Sequence, residues 1–354
     1  MLKTAIRLLT SAATRTLESR LLSSLPLPNG AKPPNLNSLN TRDIIFIGTR
    51  GSALALWQAN HLRGALAKSF GIESEIVVVK TSGDRFSTAQ VDQIGIRGIF
   101  TKELEDALVE DRADLAVHSM KDVPTDISDV CRIAIVFPRE DPRDALVSRN
   151  GESLRDLPRG ARIGTSSLRR ASQLRQFRAD FQILEVRGNV DTRLKKVAAG
   201  ECDAMVLAKA GLDRLNVSGR ISEVLPPEIM LPAVGQGALG VEFCEPRRDE
   251  FPFLDKLVDR ETMLAVAAER TVLAELQGGC RLPLGAWGRF ERGELRLDAR
   301  VLSADGGECV RGCGSAPCGS VAEAVALGKR VAAELLEAGA GRILKLAGRS
   351  VGQS

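Results

Sequence analysis

Asp114-Leu-Ala-Val-His-Ser-Met-Lys-Asp-Val-Pro124 decides how this chain is read. Asp114 to Val117 carry the apolar run of a short buried strand. The run breaks into a polar tip, His118-Ser119-Met120-Lys121-Asp122, and Pro124 stops regular structure. In open α/β sheets ligands bind beyond the carboxyl ends of the strands, so this tip is where a site is expected. Lys121 and Asp122 put a cation and a carboxylate side by side there. Alone, the pair reads equally well as a solvated ion pair on a turn.

The flanking sequence repeats one pattern: an apolar strand, a Gly- or Ser-containing turn, an amphipathic helix. Upstream, Ile44-Ile-Phe-Ile-Gly-Thr-Arg-Gly-Ser52 leads into a helix over Ala53–Ser69, with Leu54, Leu56, Trp57, Leu62 and Leu66 near helical spacing. A strand over Ser74–Lys80, a polar loop over Arg85–Ile99 and a helix from Thr101 to Glu110 follow. Downstream, Asp141-Pro-Arg-Asp144 opens a new unit. Ala161-Arg-Ile-Gly-Thr-Ser-Ser-Leu-Arg-Arg170 repeats strand, turn and helix, and its Gly164-Thr165-x-Ser167 echoes Gly48, Thr49, Arg50 and Ser52. Phe181–Val186, Arg187-Gly-Asn189 and Val190–Ala199 form another copy, and Asp203–Ala208 another strand. Such alternation predicts an α/β fold with mostly parallel strands. Past Pro232 the pattern changes to a glycine-rich run, a helix over Glu261–Leu276 ended by Gly278-Gly-Cys280, short strands with a hairpin at Asp305-Gly-Gly, and a last helix over Ser320–Glu337. This predicts a smaller α+β domain. The expected divisions are a segment 1–40, a first domain over 41–137 with a return segment 238–256, a second over 143–231 and a third over 260–348.

Composition bounds the function. The chain has 354 residues, 44% hydrophobic and 27% charged, as in ordinary globular proteins. No apolar run is long enough to span a bilayer, so no membrane partner is expected. The net charge of +4 resides in residues 1–40, where Lys3, Arg7, Arg15, Arg20 and Lys32 face Glu18 alone. The remainder is formally neutral, Tyr is absent and Trp occurs twice, which argues against a nucleic-acid partner. Residues 1–40 are rich in Ser, Leu and Arg and then in Pro and Asn, which reads as an organellar presequence or a disordered extension. Seven cysteines in a large chain do not suggest a disulfide framework. Cys309, Cys313 and Cys318 cluster without a nearby His and read as thiols of a variable loop, so no metal site is expected.

The chemistry lies at the turns. Helix N-termini bind anions through unpaired N–H groups and the positive end of the helix dipole. Here those starts carry Arg50 and Ser52, then Thr165, Ser166, Ser167, Arg169 and Arg170, then Arg187 and Arg193. Arginine suits bidentate carboxylate or phosphate recognition. Three such starts in a neutral body suggest a cleft for a polyanionic small molecule. Gly235-Gln-Gly-Ala-Leu-Gly240 matches a dinucleotide fingerprint in spacing, but it follows Pro232 and opens onto a strand rather than a helix, so a close-packed hinge is expected instead. No P-loop sequence occurs, and only His61 and His118 are present.

Gly48-Thr-Arg-Gly-Ser-Ala-Leu-Ala55, Ala116-Val-His-Ser-Met-Lys-Asp-Val-Pro124, Gly164-Thr-Ser-Ser-Leu-Arg-Arg170, Arg187-Gly-Asn-Val-Asp-Thr-Arg193, Leu231-Pro-Ala-Val-Gly-Gln-Gly237 and Gly278-Gly-Cys280 occur in that order. Together, over residues 43 to 345, they resemble the porphobilinogen deaminase (hydroxymethylbilane synthase) family. The resemblance implies three domains, two like the lobes of type II periplasmic binding proteins and a third carrying the cofactor. It implies a transferase of heme and tetrapyrrole biosynthesis. Four porphobilinogens would be joined head to tail, with loss of four ammonia, on a dipyrromethane held by a thioether to Cys280. Water would then free hydroxymethylbilane.

By the same resemblance Asp122 is catalytic, stabilising the azafulvene cation left when ammonia departs. Cys280, Lys121, Asp122, Ser119, Thr165, Ser167, Arg169 and Arg170 hold the cofactor, and Arg50, Ser52, Arg187, Arg193, Arg97 and Gln236 bind substrate. A growing chain brings about a dozen acetates and propionates, which calls for many fixed cations. One departure stands out. The loop reads Gln93-Ile-Gly-Ile-Arg-Gly98, where family members often carry lysines and a Gly-Gly-Lys-Gly run, so Arg97 keeps a cation and Ile96 replaces a glycine. The competing reading is a non-enzymatic two-lobed binding protein for a small polyanion, which would need neither Asp122 nor Cys280. A monomer is expected. The core motifs look bacterial and point to the cytoplasm, or to a plastid or mitochondrion if residues 1–40 are cleaved.

Overall fold

The computed structural model describes residues 44–80, 101–125, 127–277 and 282–351, with side chains through 346. The segment 1–40, the loop 85–99 with Arg97, and Gly278-Gly-Cys280 lie outside the described residues. In chain order the strands are β1 (Ile45–Thr49), β2 (Ser74–Val78), β3 (Leu115–Ser119), β4 (Cys131–Val136), β5 (Asp144–Ser148), β6 (Arg162–Gly164), β7 (Gln182–Leu184), β8 (Ala204–Ala208), β9 (Glu223–Val224), β10 (Leu239–Cys244), β11 (Leu284–Glu291), β12 (Glu294–Leu302) and β13 (Cys309–Pro317). The helices are α1 (Ala53–Phe70), α2 (Lys102–Val109), α3 (Leu168–Phe177), α4 (Val190–Ala198), α5 (Lys209–Arg214), α6 (Phe253–Leu257), α7 (Arg260–Glu275), α8 (Val321–Glu337) and α9 (Ala340–Val351).

The chain divides into two compact units. One takes in the described residues up to Pro138 together with Ala238–Met263; the other takes in Arg139–Gly237 and Leu264–Ser354. In the first, the sheet order is β2-β1-β3-β10-β4. β1 is parallel to β2 and β3, and β10 is antiparallel to β3 and β4, so four strands share a direction and β10 runs back between two of them. Ile45, Ile47 and Leu115 from the strands pack with Leu62 and Leu66 of α1 and with Phe243 and Phe251. Helix α1 begins where Ser52 caps it and ends at Gly71, whose φ of 67° is a left-handed conformation that glycine adopts without strain.

The second unit repeats the plan. Its five-stranded sheet runs β7-β6-β8-β5-β9, with β6 parallel to β7 and β8, and with β5 antiparallel to β8 and β9. The same unit holds a third sheet, β11-β12-β13, antiparallel throughout and covered by α8. These two sheets are joined closely. Arg300 of β12 donates to Gln173 Oε1 of α3 at 3.1 Å and to the Glu228 carbonyl at 3.1 Å, and Arg175 of α3 donates to the Ala304 carbonyl at 2.7 Å.

The architecture is thus α/β with a smaller α+β part, as expected. Cys309 and Cys313 depart from the sequence reading: they lie on β13, not in a loop. Their alternation with small residues, Cys309-Val-Arg-Gly-Cys-Gly-Ser, hides the strand from a reading based on apolar period. Gly240 falls in β10, as a strand reading of that stretch requires. A Cβ there would collide with Met120 Sδ and come within 2.7 Å of Ile133 Cγ2, so the glycine run serves close packing rather than a nucleotide loop. Among the described residues no helix is long and apolar enough to cross a membrane.

Candidate active site

In the first unit β1 and β3 are parallel neighbours, so their carboxyl ends emerge at one edge. The end of β1 delivers Arg50 and Ser52. The Ser52 hydroxyl accepts from the Ala55 N–H at 3.3 Å, satisfying one of the donors left open at the start of α1. The end of β3 delivers Ser119 and then a single 3-10 turn, Met120–Asp122. Gln58 of α1 donates to Ser119 Oγ at 2.7 Å and ties the helix to this tip. Met120 and Val123 are buried on either side. The Met120 N–H donates to the Ala238 carbonyl at 3.1 Å, and the Val123 N–H to the Met120 carbonyl at 3.3 Å. Lys121, half-buried, and Asp122, exposed, are held up between two anchored residues. A carboxylate on so short a turn has little freedom and keeps access to solvent and ligand.

Two further groups hold β3 in place. At its start Asp114, buried, accepts from the Phe46 N–H and from Arg247 Nη2, both at 2.7 Å. Just below the tip, His118 Nε2 lies 2.8 Å from Glu242 Oε2 of β10, and both side chains are buried. The polar residues of the opening stretch thus separate into supports, Asp114 and His118, and the presented pair Lys121 and Asp122.

In the second unit β6 ends in Thr165-Ser166-Ser167 and opens α3. Ser167 Oγ accepts from the Arg170 N–H at 3.4 Å, and Thr165 Oγ1 accepts from the Ser167 N–H at 3.1 Å. Arg169 and Arg170 turn inward. Asp144, at the start of β5 and fully buried, accepts from Arg169 Nη1 at 2.7 Å, from Arg170 Nη2 at 2.7 Å and Nε at 3.0 Å, and from Gln236 Nε2 at 3.1 Å. Burial alone would raise the Asp144 carboxyl, but the Arg169 and Arg170 charges outweigh it and hold it well below the usual carboxylate range. Burial in turn pulls the Arg169 guanidinium down, as does its neighbour Arg170, while Asp144 opposes both. Further along the edge Asn189 caps α4, accepting from the Thr192 N–H at 2.9 Å, with Arg193 half-buried in the first turn. Arg187 before it pairs with Glu185 at 2.7 Å.

The residues expected from the sequence to form the site fall into three settings. Arg50, Ser52, Ser119, Lys121 and Asp122 share one strand-end edge. Thr165, Ser167, Arg187 and Arg193 lie at the strand ends of the other five-stranded sheet, with Arg169 and Arg170 anchored beneath. Gln236 is 1% exposed and braces Asp144 while donating to the Pro142 carbonyl at 2.6 Å. Cys280 and Arg97 lie outside the described residues. Sequence reasoning missed Asp144, although Asp141-Pro-Arg-Asp144 was in view; its only signal is an acidic residue opening an apolar strand. It also missed Glu269 of α7, buried, which takes two bonds from Arg139 and accepts from the N–H groups of Gly235 at 2.6 Å and Gly288 at 2.7 Å. Nothing in the spacing of an amphipathic helix marks that residue.

Two sheets of one plan, each opening at its strand ends on hydroxyl-capped, arginine-bearing helix starts, define a duplicated α/β protein. The family model "Porphobilinogen deaminase, dipyromethane cofactor binding domain" matches residues 45–250, and "Porphobilinogen deaminase, C-terminal domain" matches residues 263–337. The porphobilinogen deaminase of Syntrophobacter fumaroxidans is 44% identical over 306 residues, 86% of this chain and 98% of that protein. That of Desulforudis audaxviator is 48% identical over 307 residues, 85% of this chain and 96% of that protein. Among solved structures, the periplasmic VFT2 domain of Bordetella pertussis BvgS is similar at 16% identity and a TM-score of 0.38, covering 61% of this chain and 86% of that one. The chain belongs to the porphobilinogen deaminase family.

Proposed function

We propose that this protein joins four porphobilinogens head to tail, with loss of four ammonia, to give hydroxymethylbilane on a dipyrromethane primer. The observation that carries this reading is the paired end of β1 and β3, where Asp122 stands exposed beside Lys121 with Arg50 and Ser52 at the same edge. A simple polyanion receptor has no use for a carboxylate presented among cations; a transferase that generates a pyrrole-methylene cation from its substrate does. As ammonia leaves porphobilinogen, Asp122 faces the positive charge that develops and holds a proton at the pyrrole nitrogen. Lys121 and Arg50 receive substrate carboxylates, and Ser52 and Ser119 orient them.

The donor set of the second unit fits a carboxylate-bearing bipyrrole. Thr165 and Ser167 offer hydroxyls at a helix start, and Arg169 and Arg170 supply positive charge fixed in place by Asp144. Cys280 is the residue we assign to the thioether, and Arg187 and Arg193 to the carboxylates of the growing chain. The dipyrromethane, when bound, supplies the pyrrole ring to which new units are joined. We divide the chain at 41–137 with 238–256, 143–231 and 260–348, and assign it to the cytoplasm as a monomer.

Incubating the purified protein with porphobilinogen tests the reading. Release of one ammonia per porphobilinogen consumed, with a linear bilane that closes to a porphyrinogen, is expected. Binding of porphobilinogen without ammonia release would favour the receptor.

A further inference from the structure

Cys131 opens β4 and Cys244 closes β10, and the antiparallel register sets them directly opposite each other. The next pair outward shows which kind of position this is. The Glu245 N–H donates to the Val130 carbonyl at 2.8 Å, while the Cys131 N–H donates to the Ser128 carbonyl at 3.1 Å rather than to Cys244. Hydrogen-bonded and non-hydrogen-bonded pairs alternate along an antiparallel ladder, so Cys131 and Cys244 form a non-hydrogen-bonded pair. In such pairs the Cα atoms lie about 4.5 Å apart and the side chains share one face, within the span a disulfide bridges. Cys131 is fully buried and Cys244 half-buried, so a reagent from solvent meets Cys244 first.

We propose that Cys131 and Cys244 are a built oxidation site that closes to a cross-strand disulfide on reaction with a small-molecule disulfide such as oxidised glutathione. In the first step the Cys244 thiolate attacks one sulfur of the reagent. The reagent's S–S bond breaks, a mixed disulfide forms at Cys244, and one thiolate leaves and takes up a proton. In the second step the Cys131 thiolate attacks Cys244 Sγ, the mixed disulfide breaks, and a second thiolate leaves. Two protein thiols are oxidised by two electrons, and one small disulfide is reduced to two thiols.

Both thiols sit above the ordinary thiol range. Burial is the main cause for each; Glu242 and Glu105 add to it at Cys131, Glu242 and Asp111 at Cys244, and Arg247 opposes it at Cys244. Closure is therefore slow near neutral pH and quickens as pH rises. The bond would lie at the far end of β10 from Leu239, which pairs with Ser119 at the Asp122 tip. The two ends are five residue steps apart along the strand, about 17 Å. The site is thus a staple of the central strands and leaves the presented carboxylate alone.

The experiment treats the full-length protein with oxidised glutathione at mildly alkaline pH, followed by intact mass and a non-reducing peptide map. The expected result is a loss of two hydrogens, one linked peptide pair containing Cys131 and Cys244, reversal by dithiothreitol, and a melting midpoint raised by about 5 °C with ammonia release unchanged. Cys244→Ser, a change at the half-exposed position, should fold normally and lose both the linked peptide and the shift. A lasting glutathione adduct on Cys244 with Cys131 still free would overturn the proposal, as would links only among Cys309, Cys313 and Cys318.

Discussion

Asp122 and Asp144 show how two aspartates of one chain take opposite roles from their surroundings. Asp122 is exposed on a three-residue turn, and Asp144 is buried under two guanidinium groups. Asp122→Asn should leave folding and cofactor load intact and slow ammonia release by a factor of about 100 or more; single-turnover kinetics beside intact mass would separate the two effects. Asp144→Asn should act first on stability. It leaves the buried charges of Arg169 and Arg170 without their counter-ion, at a cost of about 3–5 kcal/mol in urea unfolding. The Asp144 carboxyl is lowered in the folded protein, so its stabilisation is present above the unfolded value near 4 and is lost as pH falls through the folded value. The unfolding midpoint of the parent should drop below about pH 4, and Asp144→Asn should flatten that limb. Asp122, Lys121 and the arginines were legible because their neighbours form recognisable motifs. Asp144 was not, because which buried cation meets which buried anion is set by strand order, and that is absent from local sequence.

At the scale of the element, strand, turn and helix were legible wherever an apolar run met a Gly or Ser turn. The observed α1, α2 and α8 fall within a residue or so of their expected bounds. Ser167→Ala removes the cap of α3 and should cost about 1 kcal/mol. Because that helix carries Arg169 and Arg170, reduced cofactor load by intact mass should accompany the loss. Gly240 links strand packing to the tip. A methyl group there meets Met120 immediately before Lys121 and Asp122, and Gly240 pairs with His118. Gly240→Ala should lower stability by about 1–3 kcal/mol and also reduce turnover, since Met120 must shift to make room. Unchanged kinetics in a destabilised variant would separate the packing from the tip. The sequence reading returned 238–256 to the first domain; that β10 runs reversed between β3 and β4 is a tertiary fact, set by strand order rather than by local sequence.

At the scale of the molecule, two five-stranded sheets follow one plan with one reversed strand each, and a third sheet is built into the second unit through Arg300, Arg175 and the Glu269 cluster. The echo between Gly48-Thr-Arg-Gly-Ser52 and Gly164-Thr-Ser-Ser167 is the sequence trace of that duplication. The close joining of the second and third sheets left no such trace, since its contacts are single long side chains, Arg300, Arg175 and Glu269, reaching groups far away in sequence. Our central claim is that this fold polymerises porphobilinogen on a primer held by Cys280. The most direct test is the intact mass of the purified protein after incubation with porphobilinogen, beside a Cys280→Ala variant treated identically. The expected result is mass in excess of the chain by one dipyrromethane, with further pyrrole units in transient species, and none of it in the variant. A parent protein that gains no covalent mass from porphobilinogen, or a variant that gains the same mass, would contradict it.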